Sequence, residues 1–83
     1  MVQMNTVELI ELIEFVLELE NGTINEKSEA EQVEKWDSLG HLGILVALDM
    51  RCDGKVASIS DMATAYSVQS IIRLLLENSL LNE

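Results

Sequence analysis

Aliphatic residues recur at intervals of three and four along most of this chain, and no proline interrupts them. That spacing puts apolar side chains on one face of an α-helix and is incompatible with the two-residue alternation of a half-buried strand. Asn5 opens the first such stretch, with Glu8 three residues on, where a capping-box carboxylate belongs. Leu9, Leu12, Ile13, Val16 and Leu19 form its apolar face, Glu8, Glu11 and Glu18 lie mostly on another, and Asn21-Gly22 offers a left-handed stop. A second helix is expected from Ser38 to Cys52, burying Leu42, Leu45, Val46 and Met50 while His41, Asp49 and Arg51 face outward. Asp53-Gly54-Lys55 ends it, and Val56 and Ile59 anchor the connection that follows. Ser60-Asp61 starts a short third helix through Ala65. Ser67 opens the last, with Val68, Ile71, Ile72 and Leu75 inward and Arg73, Glu77 and Asn78 outward.

With 48% hydrophobic residues, and Phe15, Trp36 and Tyr66 as the aromatic complement, the composition favours aliphatic helices over a β-sandwich. The expected fold is all-α: a four-helix bundle with a short third helix and a long first loop. That loop runs from Thr23 to Lys35, where charge replaces periodicity, and Ile24 and Val33 are placed to pin it to the core. Ser28-Glu29-Ala30-Glu31 adds a short helical turn. The 83 residues form one domain, 1–83, large enough for a single core.

Fifteen acidic residues against five basic ones give a formal net charge of -10. Such a surface repels phosphate backbones and anionic lipid, which argues against nucleic acid or membrane as a partner and for proteins with basic patches, drawn in by long-range attraction. Cys52 stands alone, so no intrachain disulfide forms, and its helical context suggests a small buried residue. Met1 to Asn5 lacks the basic and apolar regions of a signal peptide, and the run Leu42 to Leu48 is far short of the ~20 residues of a membrane span. A cytoplasmic monomer is expected.

Asp37 and Ser38 are both strong helix starters, because their short oxygens accept from the unpaired N–H groups of a first turn. From local pattern alone Ser38 reads as a cap. A phosphate attached there would sit in the positive end of the helix dipole. Gly40 and Gly43 follow at once, each costing about 1 kcal/mol in a helix interior relative to alanine. Either core packing tolerates them or something approaches the backbone closely there.

Other chemistries fail on spacing. Asp37, Ser38 and His41 contain the residue types of a serine hydrolase, but Asp37 is badly placed on a helix to orient His41 toward Ser38, and no glycine-flanked nucleophile elbow is present. Asp49, Asp53 and Gly54 begin like a calcium loop, yet Arg51 and Ser60 occupy positions where that loop needs carboxylates. One cysteine and one histidine do not make a zinc site.

Asp37-Ser38-Leu39, near mid-chain, preceded by an acidic segment and followed by an apolar helix, resembles the attachment motif of the acyl carrier proteins. The likeness extends over most of the chain, from the acidic first helix through the long loop to the helix introduced by Ser67-Val68. It implies a non-catalytic carrier in which Ser38 bears 4'-phosphopantetheine, attached by a separate phosphopantetheinyl transferase from coenzyme A with a divalent metal. The arm's thiol would hold acyl groups as thioesters for acyl-loading and acyl-transfer enzymes of fatty acid, polyketide or related biosynthesis. Asp37 would orient the segment, and Leu39, Asp49, Met50 and Val56 are candidates for a partner-facing patch. Trp36 and Gly40-His41-Leu42 are similar to free-standing carriers of specialised acyl or polysaccharide pathways, and an aminoacyl carrier is a further alternative. Unlike the carriers of fatty acid synthesis, this chain has a nearly neutral second helix, so partners are expected to dock there chiefly through apolar contact. The alternative from another class is a small acidic helical adaptor without a prosthetic group.

Overall fold

The computed structural model describes residues 4–82. Three α-helices carry the architecture: α1 (Thr6–Val16), α2 (Ser38–Arg51) and α3 (Val68–Glu77). Three 3-10 turns lie between them, at Ala30–Gln32, Val56–Ser58 and Ser60–Thr64. Among the described residues there is no strand, only isolated bridges pairing Met4 with Leu81 and Glu29 with Ser67. The all-α class follows.

Each α-helix starts where the sequence offers a cap. Asn5 and Glu8 form a reciprocal capping box on α1, the Asn5 side chain accepting from Glu8 N–H at 2.8 Å and Glu8 Oε1 from Asn5 N–H at 3.1 Å. Ser67 Oγ accepts from Ser70 N–H at 3.1 Å at the start of α3. The three C-termini share one device: a non-glycine residue turns left-handed (Glu18, Asp53 and Ser79, φ 59, 57 and 59°), and the next N–H reaches back five residues. Those bonds are Leu19 N–H to Glu14 O, Gly54 N–H to Asp49 O and Leu80 N–H to Leu75 O, each 2.8 Å. α1 therefore stops at Val16, earlier than Asn21-Gly22, because Glu18 takes the left-handed position first; Gly22, with φ +91°, belongs to a separate turn.

The core holds Leu9 and Ile13 of α1, Ile44 and Leu48 of α2, and Val68, Ile71 and Leu75 of α3. Leu12, Val16 and Leu19 pack at its margin. The inward face expected for α3 is the one observed, with Leu74 added. The face expected for α2 is not: His41, Ile44 and Leu48 are buried, whereas Leu42, Val46 and Met50 are exposed and Leu45 is half-buried. Where a short third helix was expected, Ser60–Thr64 is 3-10. The core-facing residues around it explain this: buried Val56, Met62, Ala65 and Val68 and half-buried Ile59 recur strictly every third position, and only three residues per turn brings them onto one side.

The long first loop is ordered from within. Ile24 is buried as expected and Val33 half-buried. Glu14, 1% exposed, accepts the N–H groups of Gly22 and Ile24 through Oε2 at 2.9 and 3.3 Å, so a buried carboxylate replaces the water those amides would otherwise need. Farther on, Ala30 N–H bonds to Tyr66 O at 2.8 Å and Val68 N–H to Ser28 O at 3.0 Å, clasping the loop to the start of α3.

Candidate functional site

Asp37 caps α2. Its backbone is extended, its Oδ1 accepts from Gly40 N–H at 2.8 Å and its carbonyl from His41 N–H at 2.8 Å. Ser38 is the first helical residue and exposed, and among the described residues its hydroxyl has no hydrogen-bond partner. Of two adjacent residues able to cap, the aspartate does so and leaves the serine oxygen in solvent beside the positive helix end.

The segment is held from beneath by Trp36 and His41, both 3% exposed. Trp36 Nε1–H donates to His41 Nδ1 at 3.0 Å, and His41 Nε2 lies 2.9 Å from the Met62 carbonyl oxygen. Since Nδ1 accepts, Nε2 carries the proton and donates to that carbonyl. Tyr66 packs against the imidazole with centroids 4.5 Å apart. His41 is thus a buried tie, contrary to the expected outward placement, because two partners satisfy both its nitrogens. It has no lone pair left for Ser38, so a serine hydrolase is ruled out by geometry as well as by spacing.

Gly40 and Gly43 are used by the fold itself. A Cβ on Gly40 would overlap the Lys35 carbonyl oxygen and come within 2.8 Å of Leu17 Cδ2; one on Gly43 would meet Val16 Cγ1 at 3.1 Å. The close approach is that of α1 and the turn before α2.

Leu39 and Met50 are 77% and 78% exposed on one face of α2, with Val46. Val46 and Met50 also border an apolar groove of about 330 Å³, together with Leu45, Asp49, Val56, Ile59 and Met62. Val56 is buried and so forms wall instead of contact surface. Asp49 is half-buried, and its Oδ1 accepts Ala57 N–H at 2.8 Å, tying the Val56–Ser58 turn to α2. Ser38, Leu42, Leu45 and Asp49 fall at i, i+4, i+7 and i+11, so one row of α2 runs from the exposed hydroxyl to the groove, roughly 10 Å along the axis from Ser38 to Leu45.

No family model matches the chain, and no curated protein or solved structure matches it either. Among the described residues no group of three or more His, Cys, Asp or Glu side chains is arranged to hold a metal ion, and no helix is long and apolar enough to cross a membrane. Cys52 is buried, which pushes its thiol above the usual range, with Arg51 opposing and Asp49 and Asp53 adding to the rise. Such a thiol is a poor nucleophile. The Trp36–His41–Met62 tie is the part of the site that sequence reasoning missed; Trp36 and His41 at i, i+5 across a helix start were its only local signal.

Proposed function

We propose that this chain is an acyl carrier in which Ser38 bears 4'-phosphopantetheine, added by a separate phosphopantetheinyl transferase. One observation carries the reading: Asp37 takes the capping role, so the Ser38 hydroxyl stands exposed and unengaged on the first turn of a 14-residue helix. A phosphodiester fits there, because the Ser38 and Leu39 N–H groups precede the first capped amide and face the same end as the dipole. Bound, the arm supplies a thiol that holds acyl groups as thioesters. The chain's own residues do the rest. Trp36 and His41 fix the segment on the core, Asp37 fixes the first turn, and the row Ser38, Leu42, Leu45 leads to an apolar groove suited to an alkyl chain. The 3-10 turns Val56–Ser58 and Ser60–Thr64 take the place of a carrier's short third helix. No base lies ready for Ser38, since both His41 nitrogens are engaged and Asp37 holds Gly40, so activation falls to the transferase.

The test is incubation with coenzyme A, magnesium and a broad-specificity phosphopantetheinyl transferase, followed by intact-mass measurement. One arm should be added, and Ser38→Ala should abolish addition. Modification at Ser28, Ser60 or Ser67, or none, would defeat the reading and favour an adaptor that works through its acidic and apolar faces and carries no prosthetic group.

A further inference from the structure

Glu14 does more than clasp the first loop. Its Oε2 takes both amides, Gly22 N–H at 2.9 Å and Ile24 N–H at 3.3 Å, and its Oε1 has no hydrogen-bond partner among the described residues. Every fully enclosed side-chain polar atom of those residues does have a partner, so Oε1 keeps an opening although Glu14 is only 1% exposed. The opening is a pocket of about 220 Å³ that Glu14 lines. Val7, Ile10, Glu11 and Glu14, at i, i+3, i+4 and i+7, form its α1 wall. Asn21, Gly22 and Ile24 form the other. Along the α1 wall the aliphatic side chains come first and the carboxylates last.

Charge and donor count select the occupant. Among the described residues no cation reaches Glu11 or Glu14; the ion pairs join Glu8 to Arg51, Glu18 to Lys35 and Glu77 to Arg73. A carboxylate oxygen so enclosed and unmatched is costly until a donor meets it. An anion is repelled, and a divalent cation, which asks for about six or more oxygens, meets aliphatic walls instead. A guanidinium needs both oxygens of a carboxylate for its fork, and Glu14 has only one to give. A primary ammonium has three N–H donors and no acceptor. The pocket offers it Glu14 Oε1, the Glu11 carboxylate and the Asn21 side-chain oxygen, none of them engaged among the described residues. We propose that this pocket binds a primary alkylammonium group, its nitrogen at Glu14 Oε1 and its alkyl chain along Ile10 and Val7. Val7 to Glu14 spans roughly 10 Å of helix, room for the nitrogen and about four methylenes. A free amine and a lysine side chain both end in this group. The site lies on α1 and the first loop and uses no residue of α2, so it stands or falls apart from the carrier reading.

The chain, labelled with nitrogen-15, is titrated with n-butylammonium at neutral pH. Saturable shifts should appear at Glu11, Glu14, Gly22 and Ile24. Binding should be at least about tenfold tighter than for 1-butanol, which lacks the charge, or n-butyltrimethylammonium, which lacks the N–H donors, and tighter than for n-butylguanidinium. Glu14→Gln keeps a carbonyl oxygen for Gly22 and Ile24 but turns an NH2 into the pocket, so it should keep its circular dichroism spectrum and bind at least about tenfold more weakly. Glu11→Gln, at an exposed position, tests the site without touching the core and should weaken binding about threefold. Asp61→Asn, exposed and outside the pocket, removes the same charge and should leave binding unchanged. A blocked Gly-Lys-Gly tripeptide separates the sources: affinity equal to or above that of n-butylammonium identifies a protein lysine, and lower affinity a free amine. Absence of saturable binding, shifts spread evenly over the exposed carboxylates, equal affinity for 1-butanol, tighter binding of n-butylguanidinium, or undiminished binding by Glu11→Gln would each overturn the proposal.

Discussion

Trp36 donates its indole N–H to His41 Nδ1 across 3.0 Å, with the two rings inclined by only 17°. The bond joins the residue before the capping Asp37 to the first buried position of α2, and His41 carries it on to the Met62 carbonyl, which belongs to the groove wall. Only the neutral imidazole with its proton on Nε2 satisfies both contacts.

Two outcomes follow from that tautomer. Imidazole nitrogen-15 shifts should show Nε2 protonated and Nδ1 as acceptor; the reverse pattern would break the assignment. Trp36→Phe keeps most of the apolar bulk and leaves Nδ1 unpaired in the core, so chemical denaturation should show a loss of about 1–3 kcal/mol.

The two glycines of α2 should behave differently although one propensity scale covers both. Gly40→Ala puts a methyl against a backbone oxygen that is fixed by the turn, so a loss of about 2 kcal/mol or more is expected. Gly43→Ala meets only the tip of Val16, and the helical gain of about 1 kcal/mol offsets the squeeze. Denaturant midpoints of the two variants check this; equal losses would mean that α1 and α2 shift as a unit to relieve both.

Much of this fold is legible in the sequence, and the exceptions have physical causes. The caps Asn5, Asp37 and Ser67 and the anchor Ile24 read directly, because each acts on its own neighbourhood. The buried face of α2 does not, since Leu39, Leu42, Ile44, Leu45, Val46, Leu48 and Met50 surround the helix and apolar periodicity selects no side. His41 decides it through Trp36 and Met62, the latter 21 residues away. The 3-10 turns read as a short third helix through Ala65, because the start signal at Ser60-Asp61 is the same for both and only the three-residue spacing from Val56 to Val68 separates them. At Asp37-Ser38 the sequence leaves two caps in competition, and only backbone geometry assigns the role.

Cys52 gives the chain a pH dependence of definite sign. Burial raises its thiol above the ordinary range, so the folded chain keeps a proton that the unfolded chain gives up. The associated stability is complete below the unfolded value of about 8.5 and is lost as pH rises toward the folded one. Cys52→Ala should therefore flatten the alkaline decline of the thermal midpoint, and thiol reagents should react slowly with the native chain at neutral pH. An unchanged alkaline slope in the variant would assign the decline to other groups.

Asp49 separates structural from partner-facing chemistry on α2. Its Oδ1 holds Ala57 N–H at 2.8 Å, an acceptor that asparagine retains and alanine does not. Asp49→Asn should leave stability nearly unchanged and alter binding of a transferase or acyl-transfer partner by about 0–1 kcal/mol, the range for an exposed charge. Asp49→Ala should cost about 1–3 kcal/mol of stability, because the turn forming one groove wall loses its tie. Leu39→Ala and Met50→Ala should do the opposite, sparing stability while weakening the partner by more than Asp49→Asn does, since both side chains stand in solvent with apolar surface to bury. Paired denaturation and binding measurements on the four variants decide it. A dominant binding loss from Asp49→Asn would show that a single charge, and not the apolar face, recognises the partner.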